Sequence, residues 1–187
     1  GFTTLVVKPV GHPVRCVGSL RTGPTRADNG VLALEVMPNG TLTLTDRRTS
    51  HVYRDLLTFE DRSEICDGWF HGHSVSDEIA LSSASPAQIS VLHDGPEMVT
   101  FRIAVDLSVP ERFDWENECR GGRRTTLQLV SRVTLRRGAV RVDIETTLDN
   151  TAEDHRLRLL LPTDAVDADH YLAHHPFDLV RRPITVD

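Results

Sequence analysis

Two stretches in which apolar and polar residues alternate, residues 125–135 and 139–148, flank Arg136-Arg137-Gly138. A period of two sends successive side chains to opposite faces of a strand, so this is the pattern of a hairpin with one core face and one wet face. The alternation resumes after residues 149–154 in residues 155–163, and the chain closes on a last extended stretch, residues 177–184. Upstream, Val99, Phe101, Ile103, Val105, Leu107 and Val109 share one parity, while Thr100, Arg102, Asp106 and Ser108 share the other. That predicts a long half-buried strand, paired with residues 87–93 across Asp94-Gly95-Pro96. Asn39-Gly40, between residues 31–37 and 41–45, predicts a further hairpin whose turn residues take positive φ. Residues 2–7 read as a short strand. Residues 9–29, rich in Gly, Pro, Arg and Thr without periodicity, read as a linker or surface crossing. No stretch repeats apolar residues at i, i+3, i+4 and i+7 over a helix length, so the expected class is all-β, a sandwich or barrel of antiparallel sheets.

A chain of 187 residues buries roughly 70% of its unfolded surface and needs neither metal nor disulfide to hold one core. The net charge is −6, and 20 of the 21 basic residues are arginine, Lys8 being the exception. Without a basic stripe, nucleic acid is not an expected partner. Cys16, Cys66 and Cys119 lie far apart with no CxxC, which fits free thiols in a reducing compartment, and the expected location is cytoplasmic. No segment approaches the ~20 apolar residues of a membrane span, and the start lacks the pattern of a signal sequence, so no membrane partner is expected.

Residues that carry chemistry gather in residues 59–73, an apparently irregular stretch holding Glu60, Asp61, Glu64, Cys66, Asp67, Trp69, His71 and His73. Cys66, His71 and His73 are ligand types for Zn²⁺, but their spacing is that of no recognised finger or ribbon, and no metal site is assigned. The four acids include the residue types of a glycosidase pair, which must flank a scissile bond at a set separation. Turn-forming and solvated acids explain them more simply, and no catalytic residue is assigned. Trp69 is the more informative side chain: on an exposed loop an indole offers a flat face to a sugar ring, and otherwise it plugs the core beneath the loop. Trp115, beside Gly121-Gly122, reads as part of a long loop, and His155 as the start of a strand.

Several phrases go further. Glu35-Val36, Pro38-Asn39-Gly40-Thr41-Leu42-Thr43-Leu44-Thr45-Asp46-Arg47-Arg48-Thr49 with Tyr53, Phe59-Glu60-Asp61, Cys66-Asp67-Gly68-Trp69, Thr146-Thr147-Leu148-Asp149-Asn150-Thr151-Ala152 with Asp154-His155-Arg156-Leu157-Arg158, Leu161-Pro162-Thr163 and Phe177-Asp178-Leu179-Val180-Arg181-Arg182-Pro183-Ile184 occur in that order. Together they resemble the C-terminal β-region of glycoside hydrolase family 38, the α-mannosidases and mannosylglycerate hydrolases. The resemblance implies a galactose-mutarotase-like supersandwich over residues 27–187, with residues 1–26 as the end of a preceding small domain plus a linker. It implies that catalysis, with Zn²⁺ and an Asp nucleophile in a retaining mechanism, belongs to another domain of a longer α-mannosidase. The partners it implies are that catalytic domain and a carbohydrate substrate, with homo-oligomerisation left open. Relatives carry a Gly-Asp pair followed by tyrosines where this chain reads Cys66-Asp67-Gly68-Trp69-Phe70-His71, so the expected substrate-binding residues are Trp69, His71, Asp67 and His73. The alternatives are a free-standing aldose 1-epimerase-like enzyme, with a His acid and a carboxylate base, and a carbohydrate-binding module in which Trp69 and Trp115 share one face.

Overall fold

The computed structural model describes residues 17–67, 69–72 and 74–184, together with Thr4 and Val6. The strand read over residues 2–7, like Cys16 and His73, lies outside the described residues. All-β architecture is what the strand pattern produces: among the described residues the only helical element is a 3-10 turn at Ser82–Ala84.

The chain begins with β1 (Arg21–Gly23), β2 (Arg26–Asp28), β3 (Leu32–Val36), β4 (Leu42–Asp46) and β5 (His51–Leu56), which pair in sequence order as a five-stranded antiparallel sheet. The first two strands overturn the reading of residues 9–29 as linker throughout. At three residues each they are too short to show alternation, and their sheet membership comes from pairing, β2 with β3 and β1 with β2. The β3–β4 hairpin forms as expected, but of Asn39-Gly40 only Gly40 takes a positive φ, +84°. The connection is a three-residue type closed by a left-handed glycine, with Gly40 N–H donating to Met37 O at 2.8 Å and Met37 N–H to Thr41 O at 2.8 Å. Asn39 contributes through its side chain, accepting from Thr41 Oγ1 at 2.9 Å and donating to Ser83 O at 3.1 Å.

Positive φ at Asp55 and Leu57 turns the chain out of this sheet into β6 (Thr58–Ser63), which pairs with β7 (Ala80–Leu81). The long strands follow: β8 (Ala87–Asp94) and β9 (Met98–Pro110), then the small hairpin of β10 (Phe113–Asp114) and β11 (Cys119–Arg120), then β12 (Arg124–Arg136) and β13 (Val142–Leu148). Their order, β13-β12-β9-β8, makes a four-stranded sheet with every neighbour antiparallel. Next, β14 (His155–Leu160) pairs with β6 on the side away from β7, and β15 (His170–His174) with β16 (Leu179–Pro183) makes a separate ribbon.

The core is where the five-stranded and four-stranded sheets face each other. Leu32, Leu34, Val36 and Leu42 from the first pack with Phe101, Ile103, Leu127, Leu129 and Leu135 from the second, and Phe59 and Leu57 close the gap at the third sheet. The polar parity of β9 and β12 faces outward: Thr100 and Thr134, directly opposite in register, share a hydroxyl hydrogen bond at 3.0 Å. No helix of the described residues is long and apolar enough to cross a membrane.

Candidate functional site

Residues 59–63, expected to be irregular, belong to β6, and this strand organises the site. Its inward parity runs Phe59, Asp61, Ser63, all buried, so an acid read as solvated is fully enclosed. Asp61 Oδ2 pairs with His155 Nδ1, from the start of β14. Its Oδ1 lies 2.5 Å from Arg120 Nη2 on β11; neither atom has an aligned hydrogen bond, so this contact is held by charge rather than by donor geometry. Arg120 Nη1 donates to Glu78 O at 3.0 Å, and His155 Nε2 meets Asn150 Oδ1 at 2.9 Å. The Asp61 carboxylate thereby joins β6 to β11 and β14 directly, and Glu78 and Asn150 are held in turn by Arg120 and His155. With side chains 3% exposed or less, Arg120, Asp61 and His155 brace the site from below and do not reach a ligand.

Beyond β6 the chain folds back on itself. Glu64 Oε1 accepts the Gly72 N–H at 2.9 Å, its Oε2 pairs with His71 Nδ1, and Ile65 N–H donates to Gly72 O at 3.0 Å. The Gly72 amide, and after it the His71 imidazole, hold the Glu64 carboxyl below the usual carboxylate range although partial burial works the other way. At the tip Asp67 Oδ1 accepts from the backbone N–H groups of Trp69 and Phe70, at 2.9 and 3.1 Å, closing an Asx turn. This leaves the Trp69 indole 89% exposed, so it is not a core plug. Its neighbour Phe70 is also exposed. Asp67, Trp69 and His71 are thus brought together on one short loop, closed at its base by Glu64. Among the described residues no group of three or more His, Cys, Asp and Glu side chains is arranged to hold a metal ion. These residues do not fit the Zn²⁺ that the resemblance implies, and Cys66 is an exposed free thiol.

The β10–β11 hairpin, expected as an unstructured loop, stands opposite. Asp114 accepts from the Asn117 side-chain amide at 2.8 Å and from the N–H groups of Asn117 and Glu116 at 3.1 Å each. The Asn117 side chain, followed by its backbone amide, holds the Asp114 carboxyl below its ordinary range. Phe113, buried, sets its ring edge-on to Trp115 with centroids 4.9 Å apart. Between this hairpin and Ile65, Ser74, Val75 and Ser76 lies an open cleft of about 580 Å³ whose apolar walls are Ile65, Val75, Phe113 and Trp115. The walls are tied by Ser74, whose Oγ donates to Glu118 O at 3.1 Å and whose N–H donates to the Ser63 hydroxyl at 2.9 Å. Trp69 does not line this cleft.

The model of the glycosyl hydrolases family 38 C-terminal domain matches residues 27–186. A putative mannosylglycerate hydrolase of Halalkalibacterium halodurans is 29% identical over an alignment of 174 residues that covers 86% of this chain and 19% of that protein. The crystal structure of an α-mannosidase from Enterococcus faecalis V583 superposes with a TM-score of 0.84 at 24% identity, over 91% of this chain and 21% of that one. A glycosyl hydrolase family 38 protein from Enterococcus faecalis matches with a TM-score of 0.84 at 23% identity, over 91% and 22%. The chain spans about a fifth of the length of these relatives. The fold is theirs: an all-β arrangement of antiparallel sheets consistent with a galactose-mutarotase-like sandwich.

Proposed function

The chain belongs to the family of glycosyl hydrolase family 38 C-terminal domains, and on that premise we propose that it is the non-catalytic β-sandwich part of a longer α-mannoside-hydrolysing enzyme. In this reading it buttresses the catalytic domain and lends the loop of residues 64–72 to the sugar-binding cleft. The nucleophile and the Zn²⁺ belong to the catalytic domain, and no reaction step is assigned to residues of this chain. The observation that carries the reading is the Trp69 indole, held 89% exposed on a loop that Glu64 and Asp67 close by hydrogen bonds. A rigidly presented aromatic face is what stacks on a pyranose, and binding residues concentrate on loops fixed by a sheet. Asp67 and Glu64 act by shaping the loop, and His71, two residues along the chain from Trp69 and engaged by Glu64, is the next contact. His73 stays a candidate in the same segment.

A buttressing role draws support from the β15–β16 ribbon. Two-stranded ribbons are marginal alone, and this one exposes Tyr171, Leu172 and Leu179, a surface suited to cover by a neighbouring domain. The cytoplasm remains the proposed location, in keeping with the free thiols of Cys66 and Cys119.

The test uses the complete enzyme. Trp69→Ala should lower kcat/KM on an aryl α-mannoside by about ten- to a hundredfold, with thermal stability nearly unchanged because the ring is exposed. Unchanged kcat/KM would remove the loop from the sugar site.

A further inference from the structure

We propose that the cleft beside Trp115 is a second carbohydrate subsite, built for one neutral pyranose; it meets the base of the Trp69 loop at Ile65 but is not lined by Trp69. Its size, about 580 Å³, lies within the usual range for small-molecule sites, so one sugar ring fits with room for its substituents. Its lining divides as carbohydrate recognition requires. Trp115, 61% exposed, presents an indole whose orientation is set by its edge contact with buried Phe113, and Ile65 and Val75 extend the apolar wall. Against these stand the hydroxyls of Ser74 and Ser76 and the side chains of Asn117 and Glu118. An axial C–H face of a pyranose covers the first group while its hydroxyls donate to and accept from the second.

Three features separate this cleft from an incidental surface dent. The first is Glu118, whose carboxylate has no ion pair or hydrogen bond among the described residues, so it is available to accept from two vicinal hydroxyls. The second is strain: Glu118 sits at φ 51°, a left-handed conformation unfavourable for a residue with a side chain and concentrated at functional sites. The third is bracing. Arg120, two residues further on, is locked into the buried Asp61–His155 contact, and Ser74 bonds the opposite wall to the Glu118 carbonyl. The walls are fixed before a ligand arrives, which reduces the entropy lost on binding.

Charge selects the ligand class. Of the residues lining the cleft, Glu118 is the one with a charged side chain and none is basic, and the chain carries −6 overall. An anionic sugar would be repelled, and a neutral one is accepted through its hydroxyls.

The experiment takes the complete protein labelled with 5-fluorotryptophan, with the Trp115 signal identified as the fluorine resonance lost in Trp115→Phe. Mannose is titrated to a concentration on the order of 50 mM, because single-sugar sites commonly bind in the millimolar range, and glucuronate is titrated in parallel. We expect a saturable shift of the Trp115 resonance with mannose, none with glucuronate, and at least a fivefold weaker apparent affinity in Glu118→Gln. The response should persist in Trp69→Ala, so that failure of the Trp69 loop as a sugar contact leaves this result standing. Absence of a saturable Trp115 shift, an equal response to glucuronate, or loss of the response in Trp69→Ala would each overturn the proposal.

Discussion

Asp61 and His155, 94 positions apart in the chain, meet through Asp61 Oδ2 and His155 Nδ1 with both side chains withdrawn from solvent. The contact joins β6 to the first residue of β14, and through Asp61 Oδ1 it extends to Arg120 on the hairpin that forms one wall of the Trp115 cleft. It is therefore both a stitch between distant segments and the support of the site above it.

Removing the carboxylate charge should expose how much that support is worth. Asp61→Asn leaves Arg120 buried without its counter-charge, a loss of about 3–5 kcal/mol for an enclosed pair broken on one side. Asp61→Leu combined with Arg120→Met should recover most of it, because the pair and its burial penalty leave together. Chemical denaturation of the three proteins measures this. A loss below about 1 kcal/mol in Asp61→Asn would mean that Arg120 finds another partner.

Much of the sandwich could be read from alternation alone. The β9 and β12 parities and the β3–β4 hairpin follow from side chains whose burial matches their hydrophobicity, whereas β8 and β13 are legible by alternation although Leu92, Ile144 and Leu148 stay exposed. The failures occur where burial and polarity part company. Asp61 and Ser63 occupy core parity on β6 but carry polar side chains, so the strand reads as loop; the partner that reconciles Asp61 with burial, His155, lies in another segment. Arg120 was invisible for the same reason, buried by a partner 59 positions away. In β1 and β2 the limit is length. The candidate loop fared differently: local chemistry marked Trp69, His71 and Asp67, and local hydrogen bonds gather them, but exposure of the indole depends on the Asp67 turn and was not decidable from composition.

The Glu64 clasp gives a pH dependence whose sign follows from its lowered carboxyl pKa. A carboxyl with a depressed folded value contributes stability that is present above its unfolded value, near 4.5, and is lost as pH falls through the folded value below it. The base of the loop should thus stay closed at neutral pH and open in strong acid. Hydrogen exchange at the Gly72 amide reports it directly: protection at pH 6, diminishing below about pH 4. Glu64→Gln should flatten that dependence, since the side chain no longer titrates. Retention of the acid-dependent loss of protection in Glu64→Gln would place the responsible proton elsewhere.

Exposed ion pairs should behave differently. Arg48 forms a side-chain hydrogen bond to Asp46, and this, with the Arg48 backbone amide, lowers the Asp46 carboxyl from 3.8 to about 2. By the same sign rule the contribution is present above pH 3.8 and disappears as pH falls through about 2. The pair lies at the end of β4 in contact with solvent, so Asp46→Asn should change neutral-pH stability only slightly. Titration of the Asp46 carboxyl followed by NMR should give a midpoint near 2, moving toward the ordinary value in Arg48→Ala.

Two glycines with nearly the same backbone angle allow conformation and packing to be separated. Gly30 has φ +85° with no atom within 4 Å of where a Cβ would stand; Gly40 has φ +84° with Ala87 Cβ, Ile103 Cγ2 and Val105 Cγ2 each 3.0 Å from that point. Alanine at either position is forced into the left-handed region, at a cost of about 1–2 kcal/mol. At Gly30 that is the whole effect, because the new methyl enters open space. At Gly40 the methyl also drives into the face of β8 and β9, atoms of the core sheet that cannot withdraw without moving a strand, and overpacking of this kind adds about 1–3 kcal/mol. Gly40→Ala should therefore be the more destabilising by that increment in urea denaturation, with the m-value unchanged. Equal losses at the two positions would show that the β3–β4 turn moves away from the sheet at little cost, so that its seat on Ile103 and Val105 is loose rather than close-packed.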